Sequence, residues 1–317
     1  MSTRLIVAAA LSLAGLLMLA TGAEAAPGCD TRGAAGIAYE TGVNCRTVEV
    51  DGHPRRYVVY VPALRLPAAP VVLMFHGSSG TGEQFLRSSG WREEADRTGL
   101  IAVFPTGLRY RVIESGRRVT KWNEFGLADK VTDERPPGYP LNAPMPADDV
   151  GFVDRIMADL DSRLPIDERR VYASGFSNGA NFAARLSVDR STRIAAAGYS
   201  GGGLDGAHQA DRPVPTYITA GSEDAKILEG TGLPELPLDP LDILGTPPTG
   251  PFLDGHLATL GLDPGDFGAV TGPRSTLIRW PAPDPLLQFR MMRGLGHVYP
   301  DGAARDFWEF FRAHRLP

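Results

Sequence analysis

The sequence lacks the residue patterns that bind metals, nucleotides or nucleic acids. It has no His-Glu-x-x-His segment, no cysteine and histidine pairs at zinc-finger spacing, and no glycine-rich phosphate loop after a strand. Its formal net charge of −5 and the absence of a basic run argue against a nucleic-acid partner. Hydride, phosphoryl and metal-dependent chemistry therefore have no support, and we expect neither a metal ion nor an organic cofactor.

Cysteine is nearly absent, since only Cys29 and Cys45 occur in the 317 residues. Both lie near the expected start of the mature chain, and in an exported protein they would form one disulfide. The short loop that this bond closes would contribute about 3 kcal/mol in the chain-entropy model. Two unpaired thiols are the alternative, and neither cysteine looks catalytic.

One apolar run is long enough to enter a membrane, and it lies at the N-terminus. Arg4 precedes an apolar stretch over residues 5–20, and Ala23-Glu24-Ala25 supplies a small-x-small cleavage site. This order is typical of a signal peptide over residues 1–25. A membrane anchor is the alternative, but Glu24 and the small residues beside it favour cleavage. We expect a secreted protein (periplasmic in a Gram-negative cell) with no membrane contact after cleavage.

The rest of the chain, residues 26–317, is expected to form one α/β domain. Continuous apolar runs at 71–75 and 100–105 are typical of strands buried on both faces. Further strands are predicted at 47–53, 56–62, 170–174, 194–199, 214–220 and 287–293, and helices at 84–98, 149–164, 180–188 and 303–314. Strands that alternate with helices indicate a doubly wound, mostly parallel sheet flanked by helices.

Two proline-rich stretches interrupt the alternation, at 132–147 and at 228–251. Their composition alone favours surface loops or linkers. Because each follows the carboxyl end of a predicted strand, where open α/β sheets bind ligands, one or both are expected to shape a substrate cleft.

The segment Gly175-Phe176-Ser177-Asn178-Gly179 lies between a predicted strand and a predicted helix. A Gly-x-Ser-x-Gly turn in that position is the pattern of a nucleophile elbow, in which small residues let strand and helix pack closely while the serine hydroxyl projects outward. A serine hydroxyl needs a base, an acid that orients the base, and hydrogen-bond donors for the developing oxyanion.

Of the six histidines, only His297 lies shortly after the last predicted strand and before the final helix, where the base of this fold belongs. A structural loop histidine is the alternative. For the acid, Asp224 follows the strand predicted at 214–220, and the neighbouring Glu223 remains an alternative.

The glycine-rich segment His76-Gly77-Ser78-Ser79-Gly80 follows the strand that should lie beside the elbow. A backbone N–H of Gly77 or Ser78 is expected to form an oxyanion hole with the N–H of Asn178. His76, at the start of this loop, is a candidate substrate-binding residue.

The chain resembles the polyhydroxybutyrate depolymerase family, which includes feruloyl and acetylxylan esterases and has the α/β-hydrolase fold. The residues that carry the resemblance are Arg56-Tyr57-Val58-Val59-Tyr60-Val61-Pro62, Leu73-Met74-Phe75-His76-Gly77, Trp122-Asn123, Asp148-Asp149-Val150-Gly151-Phe152, Gly175-Phe176-Ser177-Asn178-Gly179 and Gly296-His297-Val298-Tyr299-Pro300. The resemblance implies that Ser177, Asp224 and His297 form a catalytic triad, and that Trp122 and Asn123 lie near the cleft as substrate-binding residues.

This resemblance departs from the family pattern at a few positions. The family's histidine loop usually reads Gly-Gly-His-Thr-Trp-Pro, whereas Leu295, Val298 and Tyr299 differ here, and Lys121 stands where a cysteine often precedes the Trp-Asn pair.

The sequence predicts a monomeric serine carboxylesterase. The expected substrate is a hydroxyalkanoate oligomer, an acyl ester on a polysaccharide, or a small soluble ester. A secreted serine peptidase of the same fold and a non-catalytic binding protein on a hydrolase scaffold are the alternatives.

Overall fold

The computed structural model of the chain describes residues 38–281 and 285–317. The predicted signal peptide and Cys29 lie outside the described residues, so the signal peptide and the disulfide to Cys45 both stay predictions. In the part that the structure describes, no helix is long and apolar enough to cross a membrane.

A mixed β-sheet forms the centre of the described chain. The strands are β1 (Gly42–Val50), β2 (His53–Val61), β3 (Ala69–Phe75), β4 (Ile101–Pro105), β5 (Leu108–Arg111), β6 (Arg118–Lys121), β7 (Ile166–Phe176), β8 (Ala196–Ser200), β9 (Thr216–Gly221), β10 (Gly268–Thr271), β11 (Ser275–Trp280) and β12 (Leu287–Met292). Ten of them form one sheet in the order β1-β2-β4-β3-β7-β8-β9-β12-β11-β10. The strands from β4 to β12 in this order are parallel, and antiparallel strands adjoin them on both sides.

Helices cover both faces of this sheet. They are α1 (Gly82–Ser88), α2 (Trp91–Thr98), α3 (Asp149–Asp161), α4 (Asn178–Asp189), α5 (Ala225–Leu228), α6 (Pro240–Gly245), α7 (Thr249–Leu260) and α8 (Ala303–Phe311). On one face Phe75 of β3 packs against Phe182 of α4, with ring centroids 4.9 Å apart. On the other face Tyr172 of β7 stacks on Phe311 of α8 at 4.8 Å. Burial on both faces explains why every residue of β3, β4, β8 and β9 is buried. The predicted doubly wound, mostly parallel sheet is confirmed.

The single helix predicted at 84–98 is wrong, because the structure has two helices in this region. α1 ends at Ser88 and α2 begins at Trp91, because Gly90 between them has a φ of 77° and cannot continue a right-handed helix. The final helix ends at Phe311 rather than at residue 314.

Several elements were not predicted. β5 and β6 form a separate antiparallel hairpin after β4, β10 and β11 extend the sheet beyond β12, and α6 and α7 occupy the region around the second proline-rich stretch. The first proline-rich stretch, 132–147, contains no helix or strand. It packs Tyr139, Ala143 and Ala147 against Tyr110 of β5 and Leu127 in a small apolar cluster.

The last residues of the chain pair with the first half of β7. The N–H of Leu316 donates to the carbonyl of Arg169 at 2.9 Å, and Nε of Arg169 donates to the carbonyl of Leu316 at 2.8 Å. The hydroxyl of Tyr172 donates to the carbonyl of His314 at 2.9 Å. The tail is therefore fixed at the amino end of the strand that leads to Ser177.

Two histidines are held neutral in the interior. Nε2 of His76 accepts from the N–H of Gly107 at 3.0 Å, so Nδ1 carries the proton and donates to the carbonyl of Gly77 at 2.7 Å. Nε2 of His256 on α7 accepts from the N–H of Leu204 at 3.2 Å. Burial lowers the pKa of each imidazole to about 4.

These histidines should make the protein less stable in weak acid. Between their folded pKa of about 4 and the ordinary value near 6.5, the unfolded chain binds more protons than the folded chain. The free energy of unfolding should therefore fall as the pH drops from 6.5 towards 4, by up to roughly 3 kcal/mol for each histidine. Urea unfolding at several pH values between 7.5 and 4.5 measures this loss.

His256→Gln is the variant that isolates one histidine, and His53→Gln, at a partly exposed position at the start of β2, is its matched control. We expect the first substitution to flatten the pH dependence of unfolding by up to half and the second to leave it unchanged. Equal pH dependence in wild type and His256→Gln would contradict the assignment.

Candidate active site

Ser177 occupies a strained turn between β7 and α4. Its φ of 54° and ψ of −122° lie outside the regions that L-residues normally adopt, at a cost on the order of 1–3 kcal/mol. The two glycines of the motif permit this turn. A Cβ on Gly175 would lie 2.1 Å from the carbonyl oxygen of Gly179, and a Cβ on Gly179 would lie 2.3 Å from that of Phe75. The turn at Ser177 therefore has the backbone geometry that the Gly-x-Ser-x-Gly motif predicts.

His297 lies against this serine. Its Nε2 is 2.9 Å from Oγ of Ser177, and its ring contacts the ring of Phe176 with centroids 4.9 Å apart. Phe176, the variable residue of the Gly-x-Ser-x-Gly pattern, thus limits how the imidazole can turn. Phe176 could not be selected for this contact from the sequence, because any residue satisfies that position of the motif.

Asp224 completes the row of contacts. Its two carboxylate oxygens lie 2.9 and 2.8 Å from Nδ1 of His297, and its residue is 1% exposed. The backbone N–H groups of Lys226 and Ile227 also donate to this carboxylate, at 2.9 and 3.4 Å. Glu223 is exposed, and the contact with His297 is made by Asp224.

The loops that carry Asp224 and His297 are fastened to each other. The N–H of Glu223 donates to the carbonyl of Leu295 at 3.0 Å, and the N–H of Gly294 donates to Oγ of Ser222 at 2.9 Å. A Cβ on Gly221 would lie 2.0 Å from the carbonyl oxygen of Leu295. Because parallel strands β9 and β12 are neighbours, their carboxyl ends bring Asp224 and His297 together.

Two candidate oxyanion donors adjoin Ser177. Asn178 is the first residue of α4, so its backbone N–H has no acceptor within the helix. Gly77 packs against Ser177, since a Cβ built on Gly77 would lie 3.4 Å from Cβ of Ser177. Ser78 is the next residue and is exposed. The structure thus brings Gly77, Ser78 and Asn178 to the same end of the sheet as Ser177.

His76 and Trp122, which the sequence predicts as substrate-binding residues, are both 0% exposed in the structure. The indole N–H of Trp122 donates to the carbonyl of His76 at 2.9 Å. Asn123 is partly buried, and its side-chain N–H₂ donates to the carbonyl of Ala147 at 2.8 Å. The sequence alone does not show that the side chain of Trp122 points inward.

Trp122 and Asn123 form hydrogen bonds with residues next to the site. The side chain of Asn178 accepts from the backbone N–H of Trp122 at 2.7 Å and donates to its carbonyl at 3.3 Å. The N–H of Asn123 donates to Asp149 at 2.6 Å, and Asp149 is in turn paired with Arg55. The Trp-Asn pair therefore connects the first turn of α4 to the start of α3.

Two depressions lie beside the site at the carboxyl edge of the sheet. One is an apolar cavity of about 230 Å³ lined by Asn181, Gly202, Leu204, Ile218, Ile227, Phe252 and Phe289, among others. It includes Gly202, where a Cβ would lie 2.8 Å from the carbonyl oxygen of Ser177. The other is a larger basic groove of about 690 Å³ that begins at Ser79.

The fold is the α/β-hydrolase fold, and it is shared with solved esterase structures. The acetyl xylan esterase from Aspergillus awamori superposes with a TM-score of 0.57 over 84% of this chain and 99% of that one, at 17% identity. The S-formylglutathione hydrolase from Agrobacterium tumefaciens gives a TM-score of 0.52 over 87% and 95% of the two chains, at 15% identity. At these identities the likeness concerns the fold alone.

The chain belongs to the esterase PHB depolymerase family. The family profile with that description matches residues 55–224, which is more than half of the chain and contains Ser177 and Asp224.

Curated relatives are longer proteins. The bifunctional acetylxylan esterase/xylanase XynS20E of Neocallimastix patriciarum is 24% identical over 268 residues, which are 82% of this chain and 33% of that protein. Feruloyl esterase B of Piromyces equi is 26% identical over 175 residues, 53% of this chain and 28% of that protein. The chain therefore spans about a third of the length of these relatives.

Proposed function

We propose that this protein is an exported serine esterase that hydrolyses carboxylic esters through an acyl-enzyme. The observation that carries the proposal is the row of contacts from Asp224 through His297 to Oγ of Ser177, with distances of 2.8 Å and 2.9 Å. Membership of an esterase family supports the reaction type. Export rests on the N-terminal sequence pattern.

In the first step Oγ of Ser177 attacks the carbonyl carbon of the ester. With both carboxylate oxygens of Asp224 within 2.9 Å of Nδ1, that nitrogen carries the proton and donates it in a hydrogen bond. Nε2 therefore presents its lone pair to the serine hydroxyl and accepts the proton as the C–O bond forms. Asp224 remains ionised and stabilises the imidazolium.

The attack places a negative charge on the former carbonyl oxygen. We propose that the backbone N–H of Asn178 and one from the Gly77-Ser78 segment donate to this oxyanion. Preformed donors of this kind lower the barrier because they need no reorganisation during the reaction, and losing one costs on the order of 10²–10³ in kcat.

Collapse of the tetrahedral intermediate breaks the bond to the leaving oxygen, which takes the proton from Nε2 of His297 and departs as the alcohol. A water molecule then attacks the acyl-serine, again giving a proton to Nε2. The second collapse returns that proton to Oγ of Ser177 and releases the carboxylic acid.

The apolar cavity beside Gly202 is suited to the acyl group of the ester, since its wall contains Leu204, Ile218 and Phe289. The relatives include an acetylxylan esterase and a feruloyl esterase, and the chain belongs to the esterase PHB depolymerase family. We propose that the substrate is an ester of one of two kinds. The first is an acetyl or hydroxycinnamoyl ester on a polysaccharide, and the second is a hydroxyalkanoate oligomer.

A substrate panel tests this proposal. We expect the wild-type protein to hydrolyse p-nitrophenyl acetate and butyrate, and at least one of methyl ferulate, acetylated xylan and 3-hydroxybutyrate trimer. A fluorophosphonate probe should label Ser177, identified by mass spectrometry of the labelled peptide. The Ser177→Ala protein, matched in every other residue, should take up no label.

Two outcomes would overturn the proposal. Release of aminoacyl products from peptides without turnover of any acyl ester would indicate a peptidase. A folded protein that neither turns over esters nor reacts with the probe would be a binding protein on a hydrolase scaffold.

A further inference from the structure

The largest groove beside the active site is basic, although the protein has a net charge of −5. It has a volume of about 690 Å³, and its lining residues include no aspartate and no glutamate. The basic residues among them are Arg55, Arg56, Arg109, Arg117 and Arg118. A concave surface with charge of a single sign attracts ligands of the opposite sign.

Only part of this positive charge is neutralised within the protein. Arg55 is buried and paired with Asp149, and Arg118 is paired with Glu134, which also contacts Arg111. Three exposed arginines remain, namely Arg56, Arg109 and Arg117. Within residues 38–281 and 285–317, no carboxylate forms an ion pair with any of these three.

The groove reaches the loop that carries the candidate oxyanion donors. Its wall includes Ser79, which follows Gly77 by two residues and is therefore within about 7.6 Å of it along the backbone. The N–H of Ser79 donates to the carbonyl of Thr120 on β6 at 2.9 Å, so the hairpin and this loop form one continuous wall.

A lysine of β6 contacts the loop of the candidate oxyanion donors. Nζ of Lys121 is 3.2 Å from Oγ of Ser78, and burial lowers the pKa of this lysine. The charged groups that influence Lys121 are Glu124, Glu114 and Lys130. Lys121 therefore places an amino group beside Ser78, in the strand that also carries Arg118 of the groove.

We propose that the groove binds the uronate groups of an acidic oligosaccharide, so that the preferred ester is one carried by a carboxylate-bearing polysaccharide. This inference rests on the proposed esterase function. Guanidinium groups bind carboxylates through charge-assisted hydrogen bonds.

The other lining residues favour a sugar over a polyester. Thr81 Oγ accepts from the N–H of Gln84 at 3.3 Å, and Thr106 Oγ accepts from the N–H of Gly82 at 3.0 Å. Each of these hydroxyls keeps an O–H that can donate to a ligand. Along its chain a hydroxyalkanoate oligomer offers only ester oxygens and methyl groups, and its single carboxylate is terminal, whereas a sugar offers hydroxyls that can both accept and donate.

Binding to the catalytically inert Ser177→Ala protein tests the proposal without relying on turnover. Isothermal titration calorimetry would compare a glucuronate-substituted xylo-oligosaccharide, the neutral xylo-oligosaccharide of the same length and 3-hydroxybutyrate trimer. We expect the acidic sugar to bind about tenfold more tightly than the other two, and less tightly at high salt. Arg56→Gln combined with Arg117→Gln should remove this preference, whereas Arg305→Gln, an exposed arginine on α8, should keep it.

Equal affinity for acidic and neutral sugars would overturn the groove assignment and leave the esterase proposal standing. Tighter binding of the hydroxybutyrate trimer would overturn it as well, by indicating a polyester ligand. Conversely, an absence of ester hydrolysis by the wild-type protein would overturn the esterase, while the calorimetry would still report on the groove.

Discussion

Asp224→Asn should lower kcat for p-nitrophenyl acetate by about 10⁴-fold while the protein stays folded. The amide can still accept hydrogen bonds from the N–H groups of Lys226 and Ile227. Its NH₂ group, however, would face Nδ1 of His297 and favour the tautomer in which Nε2 carries the proton. That nitrogen could then no longer accept the proton of Ser177.

Glu223→Gln is the matched control, because it removes the adjacent carboxylate from an exposed side chain. We expect its kcat to stay within about twofold of wild type, as surface substitutions away from special features have small effects. Thermal melts of both variants would establish that they fold. A loss in Glu223→Gln that equals the loss in Asp224→Asn would exclude Asp224 as the triad acid.

Asp149→Asn should destabilise the protein by about 3–5 kcal/mol, which corresponds to a fall of roughly 6–20 °C in Tm. Arg55 and Asp149 are 1% and 0% exposed, so removing the carboxylate charge leaves an uncompensated guanidinium in the interior. Nε and one terminal nitrogen of Arg55 already have no hydrogen-bond partner within the described chain. Urea unfolding monitored by circular dichroism measures the loss.

Asp154→Asn, in the same helix α3, provides the comparison. Asp154 pairs with Arg190 and Arg193 near the surface, where side-chain exposure is 31% for the aspartate, so its loss should cost less than about 1 kcal/mol. Replacing both buried partners, as in Arg55→Met with Asp149→Leu, should recover part of the stability lost in Asp149→Asn. Equal costs for Asp149→Asn and Asp154→Asn would contradict this account of the buried pair.

Local sequence signals predicted the parts of the fold whose residues are buried in a regular pattern. The apolar run at 71–75 corresponds to β3, and the helix predicted at 303–314 corresponds to α8, in which Phe307, Trp308, Phe310 and Phe311 are all buried. β11 was not predicted, although its residues alternate as in a strand with one buried face. Thr276, Ile278 and Trp280 are buried, and the residues between them are less buried. β5 and β6 are hard to predict from the sequence, since each has only four residues, half of them charged, and only Tyr110 is fully buried.

In the candidate site, too, local patterns and strand order could be predicted from the sequence, whereas long-range contacts could not. Ser177, His297 and Asp224 could be selected from the order of strands and loops, which places strand ends together at one edge of a parallel sheet. Two other features depend on residues far apart in the sequence, namely the inward placement of Trp122 and the pairing of Arg55 with Asp149, which are 94 residues apart. No local pattern encodes such contacts. The motifs can therefore be found in the sequence, but the residues that they contact in the folded chain cannot.

The pairing of the C-terminal tail with β7 determines where a tether can be attached. Leu316 bonds to Arg169, and Ser177 lies eight residues further along, which for an extended strand is roughly 26 Å. A tag, a surface linker or a fused carbohydrate-binding module joined after Pro317 therefore starts on the side remote from the cleft. Immobilisation through this end should leave the cleft open to polymer, whereas anchoring through the loop at 132–147 would obstruct the basic groove that Pro136 and Pro137 line.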